Sequence, residues 1–248
     1  VELWGECYNI EETTELDLSY NQLTGPIPPE IGNLTNLTSL DLSWSGLTGG
    51  IPESIGYLVN LTVLTLGGNQ LNGDIPETIG NLTNLSYLDL SGTGLTGVIP
   101  TEIGNLINLN DLYFNDNQLT GEIPESIGNL INLSVLFLSR NQLYGEIPYV
   151  ISEMTNLTRL HLSDNQFTGD IQLITNNLIN LTSLILSDNQ FTGEISQDID
   201  NLTNLYRLHL FNNQLTGEIP FSICNLSIDW GGVNEWGGDY FKIYNNQL

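Results

Sequence analysis

Leu16, Leu40, Leu64, Leu88, Leu112, Leu136, Leu160, Leu184 and Leu208 recur every 24 residues without insertion or deletion. A second register runs from Leu18 to Leu210 and is broken only by Phe114. Within each L-x-L stretch apolar and polar positions alternate with period two, which predicts a short strand with its leucines inward and the intervening residues outward. Nine such units occupy residues 11–227. No unit of 24 residues can bury its own Leu and Ile, so the units must stack, their strands pairing into one parallel sheet with capped ends. Residues 1–10 fit an N-terminal cap remnant and residues 228–248 a C-terminal cap holding a partial tenth repeat, all within a single domain spanning 1–248. Trp230 and Trp236 are expected to cover the open end of the last repeat, with a carbohydrate-stacking platform as the sharper alternative.

Other columns follow from the turning backbone. Asn21, Asn69, Asn117, Asn141, Asn165, Asn189 and Asn213 fall just after the strand, where an amide offers donors and acceptors to two adjacent repeats. Ser45 and Thr93 break this column, each before a Gly, and a local adjustment is expected there. Gly25, Gly49, Gly73 and their successors, with Ile-Pro following in most repeats, predict a turn. The next stretch, of the S-I-G-N-L type, is too short and Gly-rich for a full helix and reads as a 3₁₀ turn on the convex side. The whole unit, L-x-x-L-x-L-x-x-N-Q-L-T-G-x-I-P-x-x-I-G-N-L-x-N, resembles the leucine-rich repeat. Its L-T-G-x-I-P core resembles the plant-specific class found in receptor-kinase ectodomains and polygalacturonase-inhibiting proteins; similar arrays occur in secreted bacterial proteins. The resemblance implies a right-handed superhelix of the α/β type, rich in β, with a concave parallel sheet and a 3₁₀ and loop convex side. It also implies a ligand held on the strand face and an extracellular or cell-surface setting. Leu3-Trp4-Gly5-Glu6-Cys7 resembles the Trp and Cys elements of that family's N-terminal cap, which usually has paired cysteines where this chain shows one.

Composition narrows the partners. Four Lys and Arg stand against 29 Asp and Glu, a formal net charge of -25, which repels nucleic acid and anionic membrane surfaces. No apolar run reaches the roughly 18 residues of a spanning helix. The chain begins at Val1 without a leader, so a mature or excised segment is expected. Cys7 and Cys224 are separated by nine repeats, ~40 Å at ~4.8 Å per strand, too far for one disulfide. A partner outside the chain, intermolecular pairing and free thiols all stay open for each. Ten N-x-S/T sequons, among them Asn33, Asn36, Asn81 and Asn84, come largely from the repeated N-L-T.

Candidate chemistry lies where the repeats differ. Outward residues at the strand centre run Asp17, Asp41, Thr65, Asp89, then Tyr113, Phe137, His161, Ile185, His209. Arg159 and Arg207 lie two positions earlier on their own strands, Arg140 and Phe211 just beyond theirs. An aromatic and apolar stripe ~20 Å long, bordered by Arg, has the composition of binding hot spots. A protein or carbohydrate ligand on Tyr113, Phe137, Arg140, Arg159, His161, Ile185, Arg207, His209 and Phe211 of a monomer is therefore expected. The alternative is local pairing of these Arg with Asp111, Asp164 and Asp188. Asp74, Glu122, Glu146, Asp170, Glu194 and Glu218 form an acidic column that either splays into water or shares Ca²⁺, though no D-x-D-x-D-G loop is present and no cofactor is expected. Thr24, Thr48, Thr96, Thr120, Thr168, Thr192 and Thr216 form a column that would bond to backbone or, as in a plant antifreeze protein resembling this class, order water at ice. No phosphate loop, nucleophile elbow or H-E-x-x-H occurs, and His161 and His209 stand two strands apart, so an enzyme is not expected. A structural or adhesive repeat, or a passive spacer, is the competing function.

Overall fold

The computed structural model describes residues 1–230 and 240–248; Trp236 and its neighbouring glycines lie outside the described residues. Ten short strands form one parallel sheet: Glu15–Asp17, Ser39–Asp41, Val63–Thr65, Tyr87–Asp89, Asp111–Tyr113, Val135–Phe137, Arg159–His161, Ser183–Ile185, Arg207–His209 and Phe241–Lys242. They stack in sequence order and in register, Leu16 beside Leu40 and Leu184 beside Leu208, as an exact period of 24 requires. Phe241 pairs with Leu208, so a strand follows the ninth repeat although the period is interrupted before it. The inward leucines, the Ile of Ile-Pro and the Leu of N-L-x-N form one continuous core, most of them fully buried.

The Asn column works as expected from Asn69 onward, whereas Asn21 in the first repeat is exposed. Asn69 accepts from the Ser45 and Leu47 N–H groups and donates to the carbonyls of Leu42 and Leu66, tying two repeats together. Where Thr93 replaces Asn, its hydroxyl donates to the Leu90 carbonyl and to Asn117 Oδ1, and at Ser45 the hydroxyl donates to the Leu18 carbonyl. A second Asn column, not anticipated, lies at the end of the convex turn. Asn60, Asn84, Asn132, Asn156 and Asn180 each donate to a carbonyl of the preceding repeat at 2.8–3.0 Å. Five of the sequon asparagines therefore belong to the scaffold's own hydrogen bonding.

Seven convex segments are 3₁₀ turns, such as Pro29–Asn33 and Glu53–Tyr57, each opening after an extended residue that is Pro in all but one case. Their glycines permit a close stack. A Cβ on Gly32 would stand 2.6 Å from the Ser54 carbonyl oxygen, and one on Gly56 2.5 Å from that of Thr78. Beyond Gly128 this position becomes Ser152, Asn176, Asp200 and Cys224, and two of the segments, Tyr149–Ser152 and Gln172–Thr175, are short α-helical turns instead of 3₁₀. On the flank, short pairings such as Gln142–Glu146 with Gln166–Thr168 form a second parallel ladder. There the exposed Glu122, Glu146 and Glu194 side chains each lie across the Gly of the next repeat.

At the N-terminus, Glu2–Leu3 and Glu6–Cys7 pair antiparallel, and Leu3 closes the core with 1% exposure. Trp230 contacts Phe241 at 4.8 Å between ring centroids at the other end. Cys7 and Cys224 are both exposed free thiols.

Candidate functional site: the strand face of residues 87–211

The strand face carries a ladder of rings. Tyr87 and Tyr113 meet at 5.3 Å between centroids, Tyr113 and Phe137 at 5.1 Å edge to face, and Phe137 and His161 at 3.9 Å stacked within 10°. The geometry follows from the register: Phe137 stands between Tyr113 and His161 on neighbouring strands, while Tyr87 reaches Tyr113 diagonally. Tyr87 therefore belongs to the candidate surface although the strand-centre column leaves it out. The signal was its outward position one strand away and two residues back from Tyr113.

The stripe changes again at its far end. Ile185 and His209 are 8% and 7% exposed, so they support the surface more than they present one. Alternation puts them on the outward side; what buries them is the length of their neighbours. His209 has Phe211 at 6.0 Å and Lys242 in register on the added tenth strand. Phe211 in turn stacks on Tyr244 at 4.9 Å and lies under the Lys242 ammonium at 5.7 Å, two contacts supplied by the interrupted last repeat.

Charge is arranged around the rings. Arg140 pairs with Asp116 at 3.1 Å on the exposed rim, not with Asp111, Asp164 or Asp188. Arg159 is exposed and Arg207 half-buried, and neither has a carboxylate within ion-pairing distance among the described residues. Arg207 Nε is buried without a hydrogen-bond partner. A shallow hollow of about 250 Å³ lies between Phe137, His161, Ile185, Arg140 and Arg207. That is smaller than the ~300–1,000 Å³ of small-molecule sites and fits a single side chain.

Titration follows from this crowding. Burial first, then the charges of Arg207, Arg159 and His209, push the His161 imidazole down to about 3, so it is neutral at physiological pH. Its Nε2 hydrogen-bonds Ser183 Oγ at 2.8 Å. Burial, helped by Asp89, pushes the Tyr87 phenol up to about 12. Burial also raises the Asp111 carboxyl, with Arg159 pulling it back down. No group of three or more His, Cys, Asp or Glu side chains is arranged to hold a metal among the described residues, and no described helix is long and apolar enough to cross a membrane.

Family models for a "Leucine-rich repeat region" match residues 63–186, and for "Leucine Rich Repeat" residues 12–34, 36–58, 180–202 and 204–226. The chain belongs to the leucine-rich-repeat family. Among solved structures, this repeat chain is similar to the ectodomain of the Arabidopsis thaliana membrane receptor kinase GASSHO1/SCHENGEN3 in complex with CASPARIAN STRIP INTEGRITY FACTOR 2. The two are 39% identical with a TM-score of 0.84, over 89% of this chain and 27% of that one. The plant peptide hormone receptor RGFR1 in complex with RGF2 is 36% identical with a TM-score of 0.75, over 90% of this chain and 38% of the receptor. A plant ice-binding protein is 33% identical with a TM-score of 0.64, over 80% of this chain and 71% of that protein. The chain thus spans well under half the length of these two receptors. A search of curated proteins found no match.

Proposed function

We propose that this leucine-rich-repeat chain is a non-catalytic recognition module that acts outside the cell as a monomer and binds a peptide or extended protein segment along the C-terminal part of its strand face. The observation that carries this is the ring ladder from Tyr87 to His161 ending at Arg159 and Arg207, cations with no carboxylate at ion-pairing distance among the described residues in a chain of net charge -25. Aromatic and Arg side chains dominate binding energy at protein interfaces, and here they line a furrow too shallow for a buried small molecule. Similarity to a membrane receptor kinase in complex with CASPARIAN STRIP INTEGRITY FACTOR 2 and to a peptide hormone receptor in complex with RGF2 supports the same use of this chain. A dodecapeptide library displayed on phage tests it. The parent chain should enrich a peptide family whose affinity falls at least tenfold on Phe137→Ala and on Arg207→Ala, the order expected for a hot-spot side chain. A selection yielding only peptides indifferent to both variants would overturn the reading.

Likeness to a plant ice-binding protein favours a second reading, in which the Thr column orders water. The hydroxyls of Thr120, Thr192 and Thr216 donate instead to the carbonyls of Gly97, Gly169 and Gly193, and Tyr144 interrupts the row. Absence of thermal hysteresis in a freezing assay is the expected result.

A further inference from the structure

A different surface lies at the other end of the sheet. Tyr20 and Trp44 stack with centroids 6.3 Å apart and planes within 6°, and they are 71% and 61% exposed. They occupy a column just past the strand in which every residue has positive φ; its other members are Gly68, Gly92, Asp116, Arg140, Asp164, Asp188 and Asn212. That conformation suits Gly, Asn and Asp, so the fold itself does not ask for bulky aromatic residues there. The following repeat leaves room for them: a Cβ on Gly68 would run into the Trp44 ring. Three repeats thus cooperate to hold a flat aromatic platform open to solvent.

We propose that this platform docks an arginine-bearing basic segment of a protein partner, independently of the C-terminal strand face. Charge selects the occupant. No Lys or Arg occurs before Arg140, so the platform sits in an uninterrupted negative field. Asp17 and Asp41 lie three residues before the two rings, and each uses Oδ1 to accept from the N–H of Ser19 or Ser43. Their second oxygens have no protein partner among the described residues. A guanidinium is planar and weakly hydrated, stacks on an aromatic face and donates to carboxylates, the two kinds of group that these repeats present. A neutral sugar ring would use the rings alone.

Fluorescence anisotropy of labelled hexa-arginine, titrated with the full chain at physiological salt, tests the proposal. Trp44→Gly suits the left-handed backbone and should weaken binding about fivefold, the order of a cation–π contact. The pair Asp17→Asn and Asp41→Asn should weaken it about as much again. Removing equal charge from the flank with Glu122→Gln and Glu146→Gln should change binding less than about twofold, because exposed charges beyond a Debye length are screened. Equal losses from both charge pairs would show diffuse attraction to an acidic protein and overturn the proposal. So would unchanged binding to Trp44→Gly with a native melting curve, or a neutral hexasaccharide that binds with the same dependence on Trp44.

Discussion

The first four strands and the five that follow share one backbone and one buried column, yet they turn different chemistry outward. Leu40, Leu64, Leu136 and Leu160 are equally inaccessible, and Asn69 and Asn141 make the same bridging bonds. Outside, Asp17, Asp41, Thr65 and Asp89 give way to Tyr113, Phe137 and His161; Arg140, Arg159 and Arg207 fall in the second group of repeats, and Lys242 lies on the tenth strand beyond it. A repeat fold imposes the same demands at every step, so the residues it does not dictate are those that report what the surface meets. The convex side divides at nearly the same place, with glycine-tight 3₁₀ stacking before residue 128 and Ser152, Asn176, Asp200 and Cys224 after it.

The comparison can be broken first at the core. Leu64→Ala and Leu160→Ala should each cost about 2–5 kcal/mol in urea unfolding, because both delete fully buried side chains. A large gap between the two would mean the halves are not equivalent inside. Convex packing comes next. Gly80→Ser should cost about 1–3 kcal/mol, since a Cβ there would stand 2.6 Å from the Glu102 carbonyl oxygen, whereas Ser152→Gly should cost no more than about 1 kcal/mol. Similar losses would refute the division.

A pH series sharpens the contrast on the strand face. The folded state holds the His161 pKa about 3, below its ordinary 6.5, so its contribution is complete above 6.5 and is lost as pH falls toward 3. Asp89, Asp111 and Asp164, raised mainly by burial, act in the opposite sense, which is why the parent must be compared with a variant. Relative to His161→Phe, the parent should lose roughly 1 kcal/mol of stability between pH 6.5 and 5.5. A constant difference would mean that His161 is not desolvated. Smallest of all, Arg140→Ala should change stability by less than about 0.5 kcal/mol, because its pair with Asp116 is exposed.

The strands, the buried Asn column and most convex turns were legible because each is a consequence of period 24 and local chemistry. Three features were not. Period two places Ile185 and His209 outward, but Ile185 is flanked by His161 and His209, and His209 by Phe211 and the tenth strand, a crowding that no local pattern encodes. Tyr87 escaped because aligned columns conceal diagonal contacts between strands. The positive-φ column went unread because Tyr20, Trp44 and Arg140 break its run of Gly, Asp and Asn; these exceptions mark the rims of both candidate surfaces.

Hydroxyl-radical footprinting of the chain with its best library peptide tests the central claim most directly, because it locates the ligand without substituting a residue. Tyr87, Tyr113, Phe137 and His161 should lose reactivity together on binding, while Tyr144 and Tyr149 on the flank and convex side keep theirs. Protection of Tyr144 and Tyr149 with the strand-face rings unchanged would contradict the assignment of that face as the ligand-binding surface.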